Sequence, residues 1–219
     1  TLHVAISAHV AVFLSAQLFE AINRLAPQAS LYVSNWSEKT LDNLRNGECD
    51  IGITMDIGPG SKEIMTKKLA DDWFTAYVRK DHPVVANRDS MTLRELDGAQ
   101  FATLLLPDWN IRKPFVEQIM KTSGYDLNIV FRSEQPAAVA RAVRNSDLVF
   151  PASSIMDEAE LDGLHAFRVK LQNRQMNFPL LAYYHQKNRR NPLTLWLFEL
   201  TQSLLQQRQK ELRRAPGSR

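Results

Sequence analysis

The feature that most constrains this chain is the regular alternation of strand-like and helix-like segments over its first 55 residues. Short apolar runs with β-branched residues are typical of strands, and the two longer segments between them carry apolar residues at helical spacing. Gly47 follows the second helix, at the position where a left-handed residue commonly ends a helix. Such an alternation with short connections predicts a parallel α/β unit with right-handed crossovers. The predicted strands are 2–6, 30–35 and 50–55, and the predicted helices are 10–25 and 38–46.

The chain repeats this pattern after one long predicted strand at 67–80, which shows no helical periodicity. A short helical turn at 92–96 introduces the repeat, and Pro151 is predicted to end its last strand. The fold class is therefore α/β, with two similar Rossmann-like lobes. The second lobe has predicted strands at 100–106, 127–132 and 147–150 and helices at 112–122 and 133–144. Strands at 166–171 and 176–184 follow, then a helix at 192–208 whose predicted apolar face is Leu193, Trp196, Leu197, Leu200 and Leu204.

Composition excludes several classes of function. Hydrophobic residues make up 44% of the 219 residues, and no apolar run approaches the ~18 residues that a membrane span requires. We therefore expect a soluble, cytoplasmic protein with no membrane partner. The net charge of +3 is concentrated in residues 208–219, so the body is close to neutral and offers no basic surface for nucleic acid. The single cysteine, Cys49, excludes an internal disulfide and a multi-cysteine zinc site.

No catalytic residue, metal site or cofactor is predicted. The five histidines lack the spacing of metal-binding helices, and no phosphate-binding glycine loop, dinucleotide-binding motif or nucleophile elbow occurs. An enzyme on this scaffold is therefore the weakest of three functional alternatives.

Motifs spread along the chain resemble those of the effector-binding domain of LysR-type transcriptional regulators. Residues 44–53, LRNGECDIGI, match the family pattern L-x-x-G-x-x-D-h-x-h, in which h is apolar. Further matches are KDHP at 80–83, TLREL at 92–96 and FP at 150–151. The resemblance covers residues 1–210 and rests on the order and spacing of these motifs together.

This resemblance implies a fold like that of type 2 periplasmic binding proteins, in which two crossing strands join two α/β lobes. Residues 1–80 and 180–212 would form the first lobe, 81–179 the second lobe, and 213–219 a disordered tail. A small-molecule effector would bind between the lobes, and DNA would be bound only through an N-terminal winged helix-turn-helix that is absent from this chain. The resemblance also implies a homodimer, and a tetramer in the full-length form. A solute-binding protein of a transport system has the same fold and is the alternative function.

Residues at the carboxyl ends of the predicted strands form the candidate effector site, because ligands of open α/β sheets bind there. Helix N-termini behind three of them, Ser7, Ser37 and Ser133, favour a carboxylate or another small anion. The charges of Asp56 and Glu134 instead favour a ligand with an amine or hydroxyl group, or no ligand at all. The candidates are Ser7, Ala8, His9, Trp36, Ser37, Met55 and Asp56 in the first lobe, and Pro107, Ser133, Gln135 and Phe150 in the second.

Several of these candidates also have a purely structural interpretation. The three serines are good helix caps, worth roughly 1 kcal/mol each. Trp36 would serve as a core residue and His9 as an exposed residue of the first helical turn, although histidine can also change charge near neutral pH. The sequence leaves these alternatives open.

The first helix carries apolar residues on two sides. Its predicted core face is Val10, Leu14, Leu18, Ala21 and Leu25. A different side carries Val12, Phe13, Ala16 and Phe19. A helix that is apolar on two sides must bury both, either under the second lobe or under a partner subunit. Since the resemblance implies side-by-side dimers formed through this helix, we predict that its second side is a dimer interface.

Overall fold

The structure, a computed structural model, describes residues 1–58, 61–84, 89–105, 120–125, 127–156, 161–172 and 174–214. These residues belong to two compact units. The first comprises Thr1–Asp72 and Phe178–Arg213, and the second comprises mainly Trp73–Asn177. The sequence had predicted these boundaries after residues 80 and 179. Within the described residues, no helix is long and apolar enough to cross a membrane.

The first unit begins with three parallel strands joined by two helices. Its first elements are β1 (Leu2–Ile6), α1 (Ala8–Leu25), β2 (Leu31–Asn35), α2 (Thr40–Asn46) and β3 (Ile51–Met55). Strand β1 lies between the other two, with Val4 opposite Val33 on β2 and opposite Ile51 on β3. Gly47 ends α2 with a φ of 78°, where a side chain would be strained. The parallel α/β unit predicted from the sequence is confirmed.

Apolar residues at helical spacing pack α1 into the first unit. The buried residues of this helix are Val10, Leu14, Leu18, Ala21 and Ile22. The prediction for Leu25 is wrong, because this side chain is 58% exposed. Leu25 is the last residue of α1, and Ile22, one turn earlier, is buried instead.

Two further strands and the last helix complete the first unit. These elements are the first part of β4 (Ile64–Arg79), β11 (Asn177–His185) and α4 (Pro192–Arg214). Strand β11 runs antiparallel to β3. Helix α4 contacts β4, because the Lys67 Nζ lies 3.8 Å from the ring centre of Phe198 and the Gln202 amide donates a hydrogen bond of 3.2 Å to the Lys68 carbonyl.

The buried face of α4 differs from the predicted face. Its buried residues are Thr194, Leu197, Phe198, Thr201, Leu205, Arg208 and Gln209. Leu193, which was predicted to be buried, is 39% exposed. The predicted face was chosen from apolar residues only. The buried face also includes two threonines and an arginine, whose long aliphatic stem can be buried. The helix also includes residues 213 and 214, so the predicted disordered tail does not begin at 213.

The second unit contains a mixed sheet and a separate parallel strand pair. Its elements are the second part of β4, β5 (Ser90–Thr92), a 3₁₀ turn (Leu93–Leu96), β6 (Gln100–Leu104), β7 (Asn128–Ser133), α3 (Pro136–Arg144), β8 (Phe150–Ser153), β9 (Leu164–Leu171) and β10 (Arg174–Gln175). Strand β4 has β8 on one side and β9 on the other, both antiparallel. Strands β6 and β7 form the parallel pair. Of the predicted helix at 112–122, only 120–122 lie within the described residues, and they are helical.

Pro151 does not end a strand as predicted. Val149 forms an isolated parallel bridge with Phe101, and the chain then enters β8, where Pro151 lies opposite Ala76 of β4. In the described residues β8 pairs only with β4, so it is an edge strand, the place in a sheet where proline is tolerated. Phe150 is therefore the first residue of a strand and not the last.

Candidate ligand site

Three strand ends of the first unit meet at one edge, because β1, β2 and β3 are parallel neighbours. The Ser7 N–H donates a hydrogen bond of 2.9 Å to the Ile53 carbonyl, and the Trp36 N–H donates one of 2.9 Å to the Ile6 carbonyl. These bonds tie the residue after β1 to β3 and the residue after β2 to β1. The predicted site residues of the first lobe are thus brought to a common edge.

Ser7 precedes α1 in an extended conformation, with φ of −62° and ψ of 140°. Its carbonyl accepts hydrogen bonds of 2.9 Å from the N–H groups of Val10 and Ala11, but its side chain makes no capping hydrogen bond. The capping interpretation of this serine is therefore wrong. The first N–H groups of α1 have no partner within the helix, and its first turn has no acidic residue, so this edge has a positive dipole end.

His9 lies in the first turn of α1, and its Nδ1 is closed to solvent. Desolvation lowers the pKa of His9 to about 4. The ring is therefore neutral at pH 7, and it does not provide the charge change near neutral pH that the sequence suggested. The interpretation of His9 as a plainly exposed residue is also wrong.

Ser37 does not cap α2. The helix begins at Thr40, two residues later than predicted, and the Ser37 N–H donates a hydrogen bond of 2.8 Å to the Thr40 Oγ1. The Thr40 N–H in turn donates one of 2.9 Å to the Ser37 carbonyl. Ser37 therefore lies in a turn, and the helix N-terminus predicted directly behind it is absent.

Trp36 is a core residue of the first unit. Only 6% of its surface is exposed, and its ring meets Tyr183 edge to face, with 5.0 Å between the ring centres. It also packs against Gly52 of β3, where an added Cβ would lie only 2.5 Å from the indole Cζ3. The structural interpretation of Trp36 is thus favoured over a role as a wall of the ligand site.

Tyr183 of β11 holds the segment that follows β3 in place. The sequence did not predict Tyr183 as a site residue. Its hydroxyl donates a hydrogen bond of 3.0 Å to the Met55 carbonyl and accepts one of 3.2 Å from the Ile57 N–H. Burial raises the pKa of Tyr183 to about 12, so the phenol stays protonated. The exposed Asp56 carboxylate accepts a hydrogen bond of 2.8 Å from the Gly58 N–H. No local pattern identifies Tyr183, since it lies in an apolar strand far from these residues in the sequence.

The predicted residues of the second lobe occupy different environments within the second unit. Ser133 ends β7, and its Oγ accepts a hydrogen bond of 3.1 Å from the Gln135 N–H. Since α3 begins at Pro136, Ser133 closes a turn and does not cap the helix, contrary to that interpretation. Phe150 is fully buried, with its ring centre 6.0 Å from that of Tyr77. Pro107 lies outside the described residues.

The predicted dimer face of α1 is only partly open. Phe19 is 58% exposed and Ala16 is also exposed, whereas Val12 and Phe13 are half-buried. The guanidinium of Arg208 on α4 lies 5.3 Å from the ring centre of Phe13. Part of this face is therefore covered by the chain's own last helix.

Within the described residues, no group of three or more His, Cys, Asp or Glu side chains is arranged to hold a metal ion. Cys49 is buried, and its thiol donates to the Ile51 carbonyl at 3.2 Å. Burial raises the pKa of this thiol to about 11, which suppresses the reactive thiolate.

Solved structures of regulatory domains share this fold. The regulatory domain of MexT, a transcriptional activator in Pseudomonas aeruginosa, has a TM-score of 0.75 at 16% identity and covers 93% of this chain and 96% of that chain. The CcmR regulatory domain of Synechocystis PCC6803, in complex with 2-PG, has a TM-score of 0.72 at 13% identity, with coverage of 93% and 96%. The predicted fold class, α/β and like that of type 2 periplasmic binding proteins, is confirmed.

Sequence comparison identifies the family directly. The HTH-type transcriptional regulator YidZ of Citrobacter koseri is 23% identical over an alignment of 205 residues, with coverage of 85% of this chain and 63% of YidZ. The chain thus spans less than two thirds of that relative's length. Residues 1–206 match the family described as the LysR substrate binding domain. This chain therefore belongs to the LysR substrate binding domain family, the family that its sequence motifs resembled.

Proposed function

We propose that this chain is the effector-sensing and dimerising domain of a LysR-type transcriptional regulator. The family match over residues 1–206 is the observation that carries the proposal. The effector binds one conformation of the domain more tightly than another, and this difference in affinity changes DNA binding or transcription by the full-length protein. A helix-turn-helix segment, the feature for which the relative YidZ is named, makes the DNA contacts.

The edge formed by Ser7, Ala8 and the residues after β2 and β3 supports binding of a small anion such as a carboxylate. The uncapped first turn of α1 supplies N–H donors and the positive end of a helix of 18 residues. Neutral His9 adds no charge, and the exposed Asp56 opposes an anion. An anionic effector would therefore be held by the N–H groups of α1 and by the Ser7 hydroxyl. These groups suit a small effector that is bound by directed hydrogen bonds.

Thermal unfolding in the presence of small carboxylates, amino acids and aromatic compounds tests effector sensing. A ligand at a hundred times its Kd stabilises the folded state by about 2.7 kcal/mol, which is a readily measured rise in Tm. We expect Ser7→Ala to reduce this rise, because it removes a hydroxyl at the uncapped end of α1. Ser203→Ala, at an exposed position of α4, is the matched control and should leave the rise unchanged. If no compound at millimolar concentration raises the Tm of the unaltered chain, the sensing role fails.

Dimerisation is proposed to use the predicted face of α1, with a second copy of this chain as the partner. Phe19, at 58% exposure, is a large apolar side chain at the centre of a helix and has Ala16 one turn before it. Aromatic side chains are enriched in the cores of interfaces between subunits. Val12 and Phe13 supply the half-buried border of the same surface.

We expect Phe19→Asp to convert the dimer into monomer at micromolar concentration, because an unpaired carboxylate would be buried in the interface. Sedimentation velocity over a range of protein concentrations measures the change. Leu25→Asp is a matched control, since Leu25 lies on the same helix with the same 58% exposure but outside the predicted face. A parent chain that is monomeric throughout, or a Phe19→Asp variant that dimerises like the parent, contradicts this interface.

A further inference from the structure

One buried side chain of the first unit fixes the backbone on both sides of Asp56. The Tyr183 hydroxyl donates a hydrogen bond of 3.0 Å to the Met55 carbonyl and accepts one of 3.2 Å from the Ile57 N–H. Met55 and Ile57 are the two chain neighbours of Asp56. Because a phenol can donate and accept at the same time, this one group determines the path of the segment that continues β3.

Tyr183 is itself held in place by packing. Its backbone is paired with Gly52 of β3, so the ring must reach along the strand to bring its hydroxyl to the carboxyl end of β3. The ring is buried and packs edge to face against Trp36. Trp36 in turn occupies the space that a side chain at Gly52 would need. A side chain that packing locks in one rotamer holds its hydrogen-bond partners more precisely than one in solvent.

The Asp56 carboxylate is the charged group that this arrangement places at the strand edge. Asp56 is exposed, and one of its oxygens accepts a hydrogen bond of 2.8 Å from the Gly58 N–H. A carboxylate can accept about four hydrogen bonds, so it has capacity for a ligand donor as well. Burial and, to a smaller extent, the charge of Asp56 raise the pKa of Tyr183 to about 12. The phenol therefore remains a donor at neutral pH.

Groups with opposite charge preferences meet at this edge. The N-terminus of α1 favours a negative charge, because its first N–H groups have no partner within the helix. Asp56 favours a positive charge and disfavours a ligand that carries only a carboxylate. The Ser7 N–H donates to the Ile53 carbonyl, three residues before Asp56, so both groups belong to the same edge. A ligand that carries a carboxylate and an ammonium group satisfies both preferences.

We propose that Tyr183 is a positioning residue of the effector site, and that Asp56, which it holds in place, selects effectors with an amine next to their carboxylate. This inference rests on the proposed effector-sensing function and names the ligand class, an α-amino acid or a close analogue. The N-terminus of α1 binds the carboxylate, and Asp56 binds the ammonium group through a charge-assisted hydrogen bond. Tyr183 does not touch the ligand, since it acts through the backbone that carries Asp56.

Calorimetric titration with ligand pairs that differ only in the amine tests the selectivity. The pairs are aspartate and succinate, phenylalanine and 3-phenylpropionate, and alanine and propionate. We expect at least one amino acid to bind about fivefold or more tightly than its amine-free partner. Asp56→Asn should reduce that preference to below about twofold, because a neutral amide attracts an ammonium group only weakly. Since Asp56 is exposed, this variant should fold like the parent.

Tyr183→Phe separates positioning from a general loss of stability. It removes both hydrogen bonds, so the preference for the amine should again fall below about twofold, while the affinity for the amine-free acid stays close to that of the parent. Adding Asp56→Asn should lower the preference no further, because both changes remove the same contact. Tyr77→Phe is the matched control and should keep the preference of the parent. Tyr77 is also buried and donates to a backbone carbonyl, that of Ser153, but it belongs to the second unit.

The outcomes distinguish this inference from the sensing function. An amine-free acid that binds as tightly as its amino acid, or an Asp56→Asn variant that keeps the preference, overturns the inference but leaves the sensing function intact, because a ligand still binds. A Tyr183→Phe variant that weakens both members of a pair equally shows a structural role and overturns the positioning role. If no member of any pair binds at millimolar concentration, the inference fails. The sensing function then fails only if no compound in the wider thermal screen raises the Tm.

Discussion

Replacing Gly52 with alanine is expected to destabilise the first unit by about 2–3 kcal/mol, which is the upper range for overpacking of a core. A Cβ at this position would lie 2.5 Å from the Trp36 Cζ3 and 3.2 Å from its Cε3. The indole is rigid and buried between β3 and Tyr183, so it has little room to move away. The effect is purely steric, because Gly52 is not among the glycines with positive φ.

A double-mutant cycle separates this clash from other causes. Trp36→Leu alone should destabilise the chain through the volume it removes, and the Gly52→Ala change should cost much less in that background. We expect a coupling free energy of at least about 1 kcal/mol in chemical denaturation, favouring the double variant over the sum of the singles. Additive effects, or a Gly52→Ala variant as stable as the parent, would show that the two residues are not in contact.

The second large effect concerns pH and His9. The unfolded chain protonates this ring below pH 6.5, whereas the folded chain keeps it neutral until about pH 4. The unfolded state therefore binds more protons in this window, and the free energy of unfolding must fall as the pH falls from 6.5 to 4. Each unit of pKa difference corresponds to about 1.36 kcal/mol. Because the residue is only half-buried, solvent reduces the full effect, and we expect the free energy of unfolding to fall by about 2 kcal/mol.

Denaturant titrations at several pH values from 7 to 4, on the parent chain and on His9→Asn, isolate this contribution. Asparagine places an amide near the position of Nδ1 without a titratable ring, so the variant should lose the part of the slope that His9 causes. His165→Asn is the control. It should keep the pH dependence of the parent, because His9 is intact in this variant. Identical pH dependence in the parent and in His9→Asn would mean that the ring is protonated as easily in the folded chain as in the unfolded one.

Both predictions concern the edge where the carboxyl ends of β1, β2 and β3 meet. Trp36 and Gly52 make that edge dense and apolar beneath its surface, and His9 adds a neutral ring. Any anion bound there must be held by the N–H groups of α1 and by hydroxyl groups.

Local patterns in the sequence were sufficient for the elements and for the family. The strands at 2–6 and 51–55, and the helix end at Gly47, follow from β-branched runs and from glycine's access to the left-handed region, which are properties of a few neighbouring residues. The motif at 44–53 combines such a helix end with the strand that follows it. The order of elements also implied that β1, β2 and β3 are parallel, because short helical crossovers allow little else.

The side-chain roles depended on the tertiary structure. Whether Trp36 lines a site or fills the core was decided by Gly52 and Tyr183, and Tyr183 is distant in sequence from the segment that it holds. Ser7, Ser37 and Ser133 are equally good caps by residue type, and none of them caps a helix with its side chain. Ser7 directly precedes α1 but makes no side-chain capping bond, whereas α2 and α3 begin three residues after Ser37 and Ser133.

The sequence by itself therefore determined the succession of strands and helices, the parallel core of the first unit and the family, since all three are encoded in local periodicity and in short motifs. Only the tertiary structure decided which polar groups are desolvated, as at His9, and which side chains fill the core, as at Trp36. The physical reason is that burial and hydrogen-bond partners are set by residues brought together from distant parts of the chain, and no local pattern records those contacts.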